Sequence, residues 1–315
     1  MKKIFLFVIS LIVLQSAVLA KGMSDMENTS TIRLIYPQWQ GGNVAAILPE
    51  LTPEDASRGY ILGADLLNFL APETKNKILT VPVSDDINRV EENGILGYKE
   101  ILKQTKEALK LIEKENPDKI VTLGGECSVS VVPFTYLAQK YDNDIAMIWI
   151  DAHPDITLPE DKTYNGYHAM AVTAIMGKGD KKIISELPAK IPADKILFVG
   201  LRDWEREQIK ARQAEYGIKH LSSEDVSANS SKILEWIKCT GAKHVVIHFD
   251  MDVLDPNEII AAVGVVPDGM KIGEVTRVIN DIAKEYDVVG LTVAEPMPRT
   301  AIKLRNMLRQ LPLIK

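Results

Sequence analysis

After residue 30 the sequence alternates short runs of β-branched and aliphatic residues with longer amphipathic stretches, and few architectures accommodate that alternation. The runs fall at 32–36, 78–83, 120–123, 145–150, 196–200, 245–249 and 288–293. Between them, 98–115, 129–141, 230–238 and 272–285 carry apolar residues at i, i+3, i+4 and i+7, the spacing of one helix face. Strands separated by helices are joined by crossovers, so they pair parallel, and the helices cover both faces of the sheet. AMIWI before Asp151 and HVVIHF before Asp250 are apolar nearly throughout, as strands buried on both sides require. A further short edge strand is expected around His220. No linker, low-complexity tract or internal repeat interrupts the pattern, so residues 21–315 are expected to form one α/β domain.

Open parallel sheets bind ligands at the carboxyl ends of their strands. Three polar clusters fall at such ends. Asp151, His153 and Asp155 follow AMIWI, and residues two apart on an extended segment point to one side. Carboxylate mixed with imidazole suits Mn²⁺, Fe²⁺ or Zn²⁺ better than Ca²⁺ or Mg²⁺, which prefer all-oxygen shells. Asp250 and Asp252 repeat the spacing after HVVIHF, while Asp255, just before Pro256, reads as a turn residue or an outer support. The third cluster is Gly124-Gly125-Glu126-Cys127-Ser128. His220, His244 and His248 read as ordinary hydrogen-bonded histidines.

Net charge −6 and a pI near 5.5 argue against a polyanion binder, so nucleic acid is not an expected partner. The N-terminus differs in kind from the rest. Lys2 and Lys3 precede an apolar run over 4–14, and Val18-Leu19-Ala20 resembles a cleavage site, so residues 1–20 read as a secretory signal peptide. Gln15 and Ser16 stop the run short of a bilayer span. The expected product begins near Lys21 and is exported, periplasmic or secreted, with no stable membrane span. Export permits a disulfide, but Cys127 follows one strand and Cys239 precedes another, at opposite edges of a parallel sheet, which argues against a bridge.

DAHPD at 151–155, HFDMDVLDP at 248–256, the Gly-Gly-acidic-x-Ser turn, VGLRD at 199–203 and Ala294-Glu295-Pro296 together resemble the ureohydrolase family, which includes arginase and agmatinase. The likeness covers roughly 119–298. It implies a three-layer α/β/α arginase-like fold around a mainly parallel eight-stranded sheet, with two Mn²⁺ ions at the carboxyl edge. Carried over by residue, Asp151 and Asp250 bridge the ions, His153 and Asp252 bind one, and Asp155 binds the other. The implied chemistry is attack of a metal-bridging hydroxide on a guanidinium carbon. His168 falls where similar enzymes place a proton-shuttling histidine, and Glu295 matches the carboxylate that pairs with the guanidinium.

Where the resemblance implies a metal-binding histidine, this chain has Cys127. A thiolate favours Zn²⁺ or Fe²⁺ over Mn²⁺, so the expectation widens to altered metal preference or a single ion. Members resembling hydroxyarginine amidinohydrolases also carry Cys here. Thr157, Lys162, Tyr164 and Gly166 replace the small polar residues that hold an amino-acid carboxylate in arginases; Lys162 offers a point charge instead. Glu205 falls near the acidic position that meets the α-amino group. The expected function is metal-dependent hydrolysis of a linear C–N bond in a small guanidino or amidino compound, releasing urea. A formiminoglutamate-type amidine hydrolase and a non-catalytic binding homologue stand as alternatives, with a homo-oligomer left open.

Overall fold

The computed structural model describes residues 29–314, so the expected signal peptide lies outside the described residues. Eight strands form one sheet: β1 Thr31–Tyr36, β2 Lys77–Thr80, β3 Lys119–Gly124, β4 Ile145–Ile150, β5 Ile196–Val199, β6 Lys219–Leu221, β7 His244–Asp250 and β8 Asp287–Ala294. Their order is β2-β1-β3-β8-β7-β4-β5-β6, and every neighbouring pair is parallel. The longer helices are α1 Gly59–Leu70, α2 Tyr98–Glu115, α3 Val131–Lys140, α4 Glu207–Tyr216, α5 Ser231–Thr240, α6 Ile272–Glu285 and α7 Arg299–Leu308. No described helix is long and apolar enough to cross a membrane.

The strands sort their side chains by parity, which produces the layers. On β4, Met147 and Trp149 enter a core shared with Ile101 and Ile112 of α2 and Phe134 and Leu137 of α3. Ala146, Ile148 and Ile150 face the opposite way, into a core with Ile233 and Ile237 of α5 and Val278 and Ile282 of α6. β4 is buried at all six positions, so the unbroken AMIWI run reflects two cores rather than one. Each fully buried aliphatic side chain stabilises by about 1.5–3 kcal/mol before entropy is counted.

Two expectations shift in detail. The stretch 129–141 divides into a 3₁₀ turn, Cys127–Ser130, and α3, because Pro133 has no N–H to extend the α-helical ladder backwards. The strand expected at 78–83 is the shorter and largely exposed β2 at the sheet edge. Helices α1, α4 and α7 were not expected; α4 buries only Ile209 and Gln213, too few to write an apolar stripe.

Candidate metal centre

Four adjacent strands at the middle of the sheet deliver the candidate ligands. β3 ends at Cys127, β8 at Glu295, β7 at Asp250 and Asp252, and β4 at Asp151, His153 and Asp155. All of these residues except His153 are buried. The turn after β3 is held by packing that tolerates no side chain: a Cβ on Gly125 would lie 1.8 Å from the Gln38 carbonyl oxygen. Glu126 is a bracket for that turn. It accepts from Gln38 Nε2 at 2.7 Å, from the Ser128 N–H at 2.7 Å and from the Ser128 hydroxyl at 2.8 Å.

The aspartates shape their own turns. Asp151 Oδ1 accepts the His153 N–H at 2.6 Å, and Trp149 Nε1 donates to its Oδ2 at 2.9 Å. Asp250 Oδ1 accepts the Asp252 N–H at 2.6 Å, and the Cys127 thiol lies 3.0 Å from its Oδ2. His153 Nδ1 lies 2.9 Å from Asp252 Oδ2. Asp155 has a left-handed φ of 48°, and its buried Oδ2 has no protein partner. Glu295, with φ 61°, accepts the Cys127 N–H at 3.1 Å on Oε1 and the Tyr60 hydroxyl on Oε2. His168 Nε2 is 2.7 Å from the Tyr164 hydroxyl, and its Nδ1 is 3.8 Å from Glu295.

Without cations this density of acids is electrostatically awkward. Burial, then the charge of Asp252, pushes Asp151 up to about 7. Burial, reinforced by neighbouring carboxylates, lifts Asp155 and Asp250 well above the usual range, and burial takes Glu295 up to about 8. Asp252 resists its burial because the His153 imidazolium holds it down at about 2. The Cys127 thiol is pushed well up by burial, then by Asp155. Burial and His153 lower His168 to about 4, leaving its imidazole neutral. Divalent cations would invert this pattern by favouring each ionised form. The donor set fits them: Cys127, Asp151, His248 and Asp250 offer ligand atoms within 4.8 Å of one another, as do Asp151, His153 and Asp252, and Cys127, His168 and Glu295. The unpartnered Asp155 Oδ2 is a further free donor.

These residues border a cavity of about 270 Å³ that Thr157 and Glu205 also line. Lys162, with φ 55°, lies instead in a neighbouring recess with Glu160, Thr163 and Asn165. Asp255 closes a turn by accepting the Asn257 N–H at 2.9 Å. Cys127 and Cys239 are both free. His244 pairs with Asp287 at 3.0 Å and His220 contacts Gln213 at 3.1 Å, in keeping with ordinary roles. His248 is likewise hydrogen-bonded, its Nδ1 2.8 Å from the Ser130 hydroxyl, but its Nε2 is buried without a partner among the metal-type donors. The available signal was its position two residues before Asp250, on the same side of the strand. Tyr60 carried no comparable signal.

Fold and donor set together define a metal-dependent hydrolase of amidino C–N bonds. Residues 71–307 match the model of the arginase family, and the chain belongs to that family. An arginase from Staphylococcus aureus is 28% identical over 221 residues, covering 64% of this chain and 72% of that protein. The fold is similar to that of Entamoeba histolytica arginase solved with L-ornithine, at TM-score 0.72 and 20% identity, covering 89% of this chain and 96% of that one. It also resembles formimidoylglutamase from Bacillus subtilis, at TM-score 0.59 and 17% identity, covering 86% and 79%.

Proposed function

We propose that the chain hydrolyses a linear guanidino compound and releases urea. The observation that carries this reading is the convergence of Asp151, His153, Asp155, Asp250 and Asp252 from neighbouring strand ends beside buried Glu295 and His168. Asp151 and Asp250 would be shared between two divalent ions, with His153 and Asp252 on one and Asp155 and Cys127 on the other. When bound, Mn²⁺ or the Fe²⁺ or Zn²⁺ that a thiolate favours would supply a water-derived nucleophile at neutral pH.

The remaining roles belong to this chain's side chains. Glu295, which lines the cavity and is buried, receives the planar guanidinium. His168, neutral in the resting site and held by Tyr164, takes up the proton given off by the attacking water and delivers it to the departing amine. Thr157 and Glu205 meet the far end of the substrate, with Arg206 donating to Thr157 Oγ1 at 3.2 Å and pairing with Glu205 at 3.0 Å. Lys162 is a less direct contact, reaching substrate only from the adjoining recess.

A second reading, a formimino-type amidine hydrolase, is favoured by the Tyr60 hydroxyl on Glu295 Oε2, which leaves that carboxylate less than a full fork for a guanidinium. The reactions part by product. Purified protein loaded with Mn²⁺, Fe²⁺ or Zn²⁺ is assayed for urea from arginine, agmatine and guanidinobutyrate, for the corresponding hydroxyurea from hydroxyarginine, and for formamide from formiminoglutamate. Urea or hydroxyurea from a guanidino substrate supports the first reading, formamide alone the second, and a metal-loaded protein inert to all five overturns both. Residues 1–20 support an exported location, which N-terminal sequencing of the processed protein checks: a start near Lys21 is expected.

A further inference from the structure

We propose that His248 is itself a metal ligand, supplying beside Cys127 the imidazole nitrogen that the cysteine position lacks. This rests on the metal-centre reading above and adds a ligand to it. β7 places His248 and Asp250 on one side of the strand, so the imidazole and the carboxylate address the same space. His248 is 0% exposed, and its Nε2 is buried with no hydrogen-bond partner. The carboxylate oxygen Asp151 Oδ2 is 4.0 Å away, too far for a hydrogen bond. Either tautomer is therefore unsatisfied by protein alone: a protonated Nε2 has no acceptor, and a bare Nε2 lone pair faces carboxylates. A cation lying among them resolves both.

The surroundings fix which nitrogen is free. Nδ1 is 2.8 Å from the Ser130 hydroxyl, so the ring can donate there and present an unprotonated Nε2, as metal-binding histidines do. Trp149 stacks on the imidazole at 3.6 Å and 7°, and its own Nε1 holds Asp151. One indole thus sets the direction of two donors. Ligand atoms of Cys127, Asp151, His248 and Asp250 all lie within 4.8 Å of one another, a cluster that would need to draw in only slightly to surround one ion at about 2.0–2.3 Å from each. One sulfur, one nitrogen and two carboxylates form a set that prefers Zn²⁺ or Fe²⁺ to Mn²⁺.

The test follows the side chains of the five histidines. In full-length protein carrying ¹⁵N-labelled histidine, long-range ¹H–¹⁵N spectra are recorded as Zn²⁺ is added, and the His248 signals are assigned by their loss in His248→Gln. The expected result is that Nε2 of His248 moves to a metal-bound shift while Nδ1 stays protonated. Zn²⁺ bound with shifts at His153 but none at His248 overturns the proposal and leaves the metal centre standing. No bound Zn²⁺ overturns both. Should His248→Gln fail to fold, the His248 signals are assigned in the wild type by their through-space contacts to the stacked Trp149 indole. In support, Ser130→Ala, which removes only the Nδ1 partner, is expected to weaken Zn²⁺ binding by about tenfold; unchanged affinity counts against the tautomer argument.

Discussion

Asp151 and Asp250, on neighbouring strands β4 and β7, adopt the same pose: each accepts at 2.6 Å the backbone N–H two residues on, and each leaves its second oxygen beside the ligand cluster. One oxygen builds the turn and the other is left to bind metal. Asn at 250 can keep the turn, since its carbonyl oxygen still accepts the Asp252 N–H, yet it loses the charge that two cations share. Asp250→Asn is therefore expected to fold with an unchanged circular dichroism spectrum while losing at least one equivalent of metal and nearly all activity. Elemental analysis after reconstitution decides; full metal content in this variant would count against a shared carboxylate.

The acids of the metal-free site also predict how its stability depends on pH. Asp151 titrates near 7 and Glu295 near 8 in the folded protein, whereas unfolded carboxyls titrate at about 4. Between these values the two acids bind more protons folded than unfolded, but up to about 6.5 the lowered His168 and His248 offset part of this, so stability falls most clearly as pH rises from about 6.5 through 8. Melting temperatures of chelator-treated protein should decline across that window, and divalent metal should restore the loss most strongly at the alkaline end. A flat profile without metal would contradict the arrangement.

His168 and Tyr164 separate chemistry from metal binding. His168→Asn removes the proposed proton carrier without touching the aspartates, and the expected fall in kcat is about 10²–10⁴-fold with metal content intact. Tyr164→Phe keeps the imidazole but frees its Nε2, so a smaller loss and a shifted pH profile are expected. If both variants also lost metal, His168 would be a ligand instead.

Arg212 of α4 grips both oxygens of Asp161, one at 2.6 Å, and donates to the Ile156 carbonyl at 2.9 Å, tying the loop after Asp155 to the helix. The two side chains are only 14% and 9% exposed. Arg212→Leu should cost about 1.5–3 kcal/mol, several degrees in Tm, and loosen the Thr157 region of the cavity. Calorimetry checks the first effect and KM the second.

What the sequence made legible follows from periodicity. Asp151, His153, Asp155, Asp250 and Asp252 sit at two-residue steps beyond apolar strands and do converge, but through bends rather than an extended segment: Asp252 lies in a 3₁₀ turn and Asp155 is left-handed. His248 obeys the same rule but lies inside its strand, where a histidine has an ordinary explanation until its neighbours are known. Tyr60 reaches Glu295 from α1, whose sequence GYILGADLLNFL has no clear polar stripe and whose partner lies far along the chain. Lys162 sits apart from the cavity because its loop turns through a left-handed residue, a bend that residue type alone does not announce.

The strand order has a consequence for how the centre comes into being. β8, the last strand, lies between β3 and β7, so the turn bearing Cys127 and the turn bearing Asp250 become neighbours only across a strand made after both. Such distant pairings close slowly, because chain entropy must be lost before they contribute. Productive loading of the ions therefore has to be a late event, following insertion of β8, and a chain stalled before that step carries most of the ligands without a place to hold them together.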